Sequence, residues 1–274
     1  GFRDMNELPV AADPERGWLA TANEMNLPED YPAHDKVVSF DWYASSRAER
    51  LAEVFAGDQR FSPEDCMRLQ SDFVSVPARR IVRRLARVQA DNRTTTEALR
   101  LLREWDGNLR PDSGAAALFE VWYRRHLRPA LLRRALAHLV PEDQVDTVVA
   151  KVTPDEILLA DPRVDLMLVE QPADWLGEDA DAALDEILRS TLAAAVAEVE
   201  ELLGPDRRGW AWGRLHVSRL AHPLSPLLDE ETRARLAVGP APRGGSGDTI
   251  GNTAYLADTF VQTGGATFRI VVDV

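Results

Sequence analysis

Two histidines, His216 and His222 in "GRLHVSRLAHPL", offer imidazoles for metal binding or proton transfer. Their six-residue spacing puts them on different faces of a helix, and His222 precedes Pro223, which favours an extended or turn backbone. No HExxH or CxxC pattern accompanies them, so packing and hydrogen bonding are the expected roles. "RGGSGDT", residues 243–249, could cradle a phosphate, but it lacks the lysine of a P-loop and the spacing of a dinucleotide fingerprint; it reads as a turn. Arg79, Arg80, Arg83, Arg84 and Arg87 could form a phosphate stripe. In an acidic chain they read instead as a solvated helix face paired with carboxylates. Trp210 and Trp212 in "GWAWGRLH" suit either a ligand pocket or a core with satisfied indole donors. Cys66, the single cysteine, would need a cationic neighbour to act as a nucleophile and reads as a small buried hydrophobe. No GxSxG elbow is present, and spacing argues for no Ser-His-Asp set. Asn23 is the remaining candidate. In "GWLATANEMNLPEDYP" the apolar run Trp18-Leu19-Ala20 stops at this carboxamide, with Asn26, Pro28, Glu29, Asp30 and Pro32 following. It either shapes a turn or presents a neutral N–H donor.

The elements that must position these groups are mostly helical. "SPEDCMRLQSDF" opens with Ser62 as cap, Pro63 as first helical residue and acids in the first turn. "ARRIVRRLARV" sets Ile81, Val82, Leu85 and Val88 on one helix face. "TTTEALRLLREWDG" predicts a helix from a threonine cap to Gly107. "SGAAALFEVWYRRHLRPALLRRAL" puts Leu118, Val121 and Trp122 on one side, and Pro129 should end or kink it. The longest helix is predicted near 178–203, with Leu184, Ile187, Leu188, Leu192, Val196, Val199 and Leu202 in helical period before Gly204-Pro205. Residues 17–22 and 266–274 read as strands, and 239–252 as a Gly/Pro loop. Two lone strands make no stable sheet, so these either pair with each other or belong to a sheet whose other strands lie elsewhere. The expected class is mainly α. Residues 1–45 hold the strand and Asn23, 46–205 a helical domain, and 206–274 a loop-rich segment ending in a strand.

The 274 residues carry a net charge of −13, which excludes nucleic acid as the default partner. Hydrophobic residues at 45% and charged residues at 28% are ordinary for a soluble globular protein. No apolar run approaches the roughly 20 residues that span a bilayer. One cysteine allows no internal disulfide. The start "GFRDMNELPV" lacks the layout of a signal peptide.

Six stretches taken together carry a resemblance: "GWLATANE", "LLREWDGNL", "DSGAAALFEVWYRR", "WAWGRLHVSRLAHPL", "RGGSGDTIGN" and "ATFRIVVDV". In this order, over nearly the whole chain, the sequence resembles the penicillin acylase (penicillin amidase) family. Its relatives include acylases of cephalosporins, lipopeptides and acyl-homoserine lactones. The resemblance implies an N-terminal nucleophile hydrolase. In that class a precursor cuts itself into a heterodimer and exposes a serine at the start of the β chain. The serine hydroxyl attacks an amide carbonyl, and its own α-amine acts as base. The strand fragments would belong to the αββα sandwich of that class.

Residue by residue, the resemblance assigns the oxyanion donor to Asn23, at the end of "TAN". It places an active-site arginine at Arg47 in "SSRAERL", with Arg50 as the competing alignment. "YPAHD" matches a stretch that supplies a calcium ligand, which falls on Asp35; the chemistry itself requires no cofactor. The chain departs from the family at its start. Gly1 has no hydroxyl, and cutting before Ser246, which is flanked by glycines, would leave only 274 − 245 = 29 residues. The chain therefore reads as an internal section of a β subunit, inactive alone. Its expected partners are the other β-subunit segments, the α subunit and a small amide substrate, in the periplasm or outside the cell. The competing expectation is a helical scaffold without chemistry.

Overall fold

Helix starts in this chain are written in short polar side chains. In the computed structural model, which describes residues 4–40, 42–57, 59–137, 139–152 and 162–273, Ser62 Oγ accepts from the Asp65 N–H at 3.2 Å. Asp65 returns the bond to the Ser62 N–H at 2.9 Å, closing a capping box. Ser75 and Ser113 cap the helices that follow them in the same way. The threonine cap expected for "TTTEALRLLREWDG" is instead Asn92, whose Oδ1 accepts from Thr95 N–H at 2.8 Å. That helix stops at Arg103, before Gly107.

The described helices are α1 (Ser46–Phe55), α2 (Pro63–Leu69), α3 (Val76–Arg84), α4 (Arg93–Arg103), α5 (Gly114–Val121), α6 (Arg128–Leu136), α7 (Glu142–Val152), α8 (Arg163–Glu170), α9 (Pro172–Trp175), α10 (Ala180–Leu203), α11 (Trp212–Leu215) and α12 (Glu230–Leu236). None of them is long and apolar enough to cross a membrane. Ile81, Val82, Leu85 and Val88 are buried as their period requires. So are the inward positions of α10, except that Leu203 takes the place expected of Leu202, which is 42% exposed. Gly204 then closes the helix at φ +92°.

Pro129 does not end its helix. Between α5 and α6 the chain runs as a π segment, Trp122–Leu127, and Arg128 N–H reaches back five residues to Tyr123 O. A regular turn would press the proline ring against the carbonyl four residues earlier; the wider turn relieves that clash. The segment forms the centre of the core, packing against α10, with Trp122 fully buried and its Nε1 donating to Thr191 Oγ1 at 2.9 Å. Tyr123 donates to the buried Asp165 of α8 at 2.6 Å.

Two short strands, β1 (Val217–Leu220) and β2 (Val238–Pro242), pair antiparallel with Val217 opposite Pro242 and Leu220 opposite Val238. The stretch 239–252, expected as loop throughout, thus begins in a strand. Its backbone pairs although it has no side-chain period and is fully exposed, an edge position where proline is tolerated. The strands expected at 17–22 and 266–274 do not form among the described residues. Ladder bonds need a neighbouring edge, and no described strand offers one to them. Gly1 and Val274 lie outside the described residues. The core of the helical region continues past residue 205 into Trp210, Trp212, Tyr255 and Phe260.

Candidate active site

The segment leading to Asn23 lies along α1. Trp18 packs on Phe55 at one end of that helix, with ring centroids 5.1 Å apart. At the other end, Asn23 O accepts from Tyr43 N–H at 3.0 Å. Glu24 turns its carboxylate back to Ala22 N–H at 2.7 Å. This folds the chain sharply, and Asn23 itself sits at φ +70°, a conformation asparagine tolerates better than most residues. Its side chain is exposed.

Arg47 Nη2 donates to Asn23 Oδ1 at 2.8 Å. A guanidinium has no acceptor, so the amide atom facing it is the oxygen. The amide nitrogen points away and makes no hydrogen bond among the described residues. Arg50, the competing residue, is committed elsewhere: it grips Asp72 through Nε at 3.1 Å and Nη2 at 2.7 Å. Partial burial lowers the pKa of Arg47, and the charges of Asp248, Tyr43 and Glu24 oppose that shift.

The glycine-rich stretch is a rigid turn built on Phe73. A Cβ on Gly244 would meet Phe73 Cδ2 at 2.6 Å and Leu109 O at 2.8 Å, and Gly245 sits at φ +80°. Thr249 Oγ1 accepts from the buried Ser246 N–H at 3.1 Å, and Ser246 Oγ accepts from Asp248 N–H at 3.2 Å. Trp212 Nε1 donates to Gly245 O at 3.0 Å.

Behind this turn lies a buried ionic group. Tyr255 hydroxyl bonds Glu120 and accepts from Arg124 Nε at 3.4 Å. Burial pushes the Glu120 carboxyl up to about 7, with Asp248 adding to the shift and Arg124 and Tyr255 opposing it. The folded state thus holds a proton that the unfolded carboxyl releases near 4.5. The stabilisation is complete below about pH 4.5 and disappears as pH rises through 7, a change of about 3 kcal/mol. Urea denaturation at pH 5 and pH 8 should show that decline in the parent protein and its absence in Glu120→Gln.

The other sequence candidates fall into structural roles. His216 is fully buried, stacked on Trp212 at 4.9 Å with Nδ1 2.8 Å from Phe260 O. Burial lowers its pKa to about 4. His222 is exposed in a turn and accepts from Leu224 N–H. Trp210 donates to Gly204 O at 2.8 Å, so both tryptophans are core residues with satisfied indoles. Arg79, Arg80 and Arg84 pair with Glu53, Glu170 and Asp181. Arg79 and Arg83 also line a cleft of about 600 Å³ with Glu53, Val82 and Trp105. Cys66 is half-buried rather than buried. Asp35 is exposed in the turn after Pro32, with its N–H on Pro32 O at 3.0 Å. Among the described residues no three His, Cys, Asp or Glu side chains gather as metal ligands. A calcium ion needs roughly six to eight oxygens, which the residues around Asp35 do not fit. Sequence reasoning missed Asp248, Glu120, Arg124 and Tyr255. The only signal was Asp248 within "RGGSGDT", where glycines masked a positioned carboxylate.

An exposed carboxamide with its oxygen held by an arginine and its nitrogen free is a preset donor on a helical scaffold. The chain belongs to the penicillin amidase family, whose model matches residues 1–274. It is similar to the acyl-homoserine lactone acylase QuiP of Pseudomonas syringae pv. syringae, 27% identical over 273 residues covering 93% of this chain and 32% of the relative. The Pseudomonas aeruginosa protein of that name is 28% identical over 284 residues, 93% of this chain and 32% of the relative. That of Pseudomonas putida is 30% identical over 260 residues, 87% of this chain and 30% of the relative. The chain thus spans about a third of the length of the curated relatives it matches.

Proposed function

We propose that these residues are the helical section and oxyanion-donor segment of an amide-cleaving acylase, with the nucleophile supplied by a chain terminus outside them. The observation that carries the reading is the Arg47 to Asn23 Oδ1 bond at 2.8 Å, which turns the amide N–H₂ outward. A hydroxyl from the nucleophilic serine attacks the amide carbonyl carbon, and its proton passes to the α-amine of the same serine. The carbonyl oxygen gains charge, and the Asn23 N–H₂ donates to it. Collapse of the adduct expels the amine with that proton and leaves an acyl ester. Water then attacks the ester, releasing the carboxylic acid and restoring the hydroxyl. The names of the relatives make an N-acyl-homoserine lactone the first substrate to try.

The extended end of the chain supports the reading that other segments complete the fold. Phe268, Ile270 and Val272 alternate along one side and are 77%, 63% and 67% exposed. Gln70 Nε2 holds Ile270 O at 2.9 Å, so this apolar row stands fixed at the end of α2. A covering sheet from the remaining β-subunit and α-subunit segments would bury it.

The whole parent protein should release the amine from a chromogenic N-acyl anilide, and one of its mature chains should begin with Ser, Thr or Cys. The 274-residue chain by itself should release none. Turnover by the isolated chain, or a mature parent with no such terminus, would overturn the reading in favour of a scaffold.

A further inference from the structure

The glycine-rich turn has no assigned role in the chemistry, yet it is among the most tightly built loops of the chain. Its placement is tied to α1. Arg47 and Arg50 lie one turn apart on that helix and so share a face. Arg50 is anchored on the Asp72 carboxylate, and Asp72 O accepts from Gly251 N–H at 2.8 Å. Gly251 is three residues beyond Asp248, within the same turn. The partner of one arginine thus pins the loop that carries the acid facing the other. The Asp248 carboxylate is the strongest opposite charge acting on Arg47, and it also faces Arg124 and Glu120 from the buried side. Side chains and backbone lock the loop: Asn252 Nδ2 donates to Gly247 O at 3.1 Å, and Thr253 N–H to Ser246 O at 3.1 Å. The Phe73 ring leaves no room for a Cβ on Gly244.

We infer that Asp248 is a positioning residue: from this locked turn its carboxylate holds the Arg47 guanidinium where Nη2 meets Asn23 Oδ1. The inference rests on the oxyanion reading of Asn23. Asp248 touches no reacting atom. It fixes the arginine, the arginine fixes the amide oxygen, and the amide nitrogen is thereby aimed.

The test is a double-mutant cycle in the whole parent protein, with kcat and KM read separately on one acyl-amide substrate. Asp248→Asn should lower kcat by about 10–100-fold, the scale of a displaced catalytic group, and leave KM within about two-fold. With Arg47→Ala already present, Asp248→Asn should cost no more than about two-fold further, because linked residues are not additive. Losses that add in full across the cycle, or an unchanged kcat in Asp248→Asn, would overturn the inference. Should Asp248→Asn fail to fold, Asp248→Glu is read in the same cycle by the same two criteria. Asn23→Ala separates the two levels. If it abolishes turnover while the Asp248 variants are silent, only the present inference falls. If Asn23→Ala itself leaves kcat unchanged, the oxyanion reading falls first.

Discussion

Asn23→Ala in the whole parent protein lowers kcat by about 10²–10³ while KM moves little, because an oxyanion donor acts on charge that exists only in the transition state. Initial rates on an N-acyl substrate check this directly. Asn23→Asp should lose at least as much. The shape survives, but an acceptor-only carboxylate replaces the donor and pairs with Arg47 as a full ion pair, leaving a negative group where negative charge must develop. Thermal midpoints of both variants should stay near that of the parent, since the side chain is exposed and supports no core packing. An alanine variant with parental kcat would leave Asn23 as a turn residue, a role its φ of +70° would by itself explain.

Trp212→Ala destabilises the protein by about 3–5 kcal/mol, the cost of deleting a fully buried aromatic side chain. Its ring stacks on His216 at 4.9 Å and meets Tyr255 at 5.3 Å and Phe260 at 5.5 Å edge-on. Its indole N–H is also the partner of Gly245 O. Trp212→Phe keeps most of the ring packing and strands that carbonyl, at about 1–3 kcal/mol. Chemical denaturation of both variants separates the packing loss from the hydrogen-bond loss. The alanine variant should lose activity as well, because Gly245 opens the turn that carries Asp248.

The helices were legible wherever one face carried the burial. Ile81, Leu85 and Val88 declare a buried side at helical spacing, and Ser62 with Asp65 declares a start. A periodic pattern survives reading because each residue repeats the same message. The π segment was not legible: nothing in "WYRRHLRP" distinguishes a widened turn from a kink, since both answer the same clash at Pro129. The expected strands at 17–22 and 266–274 show the converse limit. Their residues suit a pleated sheet, but a strand is a relation between two segments, and the second segment is not among those described. For the site, Asn23 and Arg47 were legible through a family resemblance, whereas their hydrogen bond was not. Asp248 and the Glu120–Tyr255–Arg124 group are brought together from residues about 130 apart in the chain, a juxtaposition no local pattern announces.

The extra residue accommodated between α5 and α6 sets the angular phase of everything that follows it. Each residue of a regular helix advances the azimuth by about 100°. Excising one residue from Trp122–Leu127 would let ordinary winding resume and spin α6 by more than a quarter revolution. Leu131 and Leu132 would swing out of the interior, and Arg128 would leave Asp165, 3.5 Å from its Nη1. This stretch should therefore tolerate substitution far better than any change in its length.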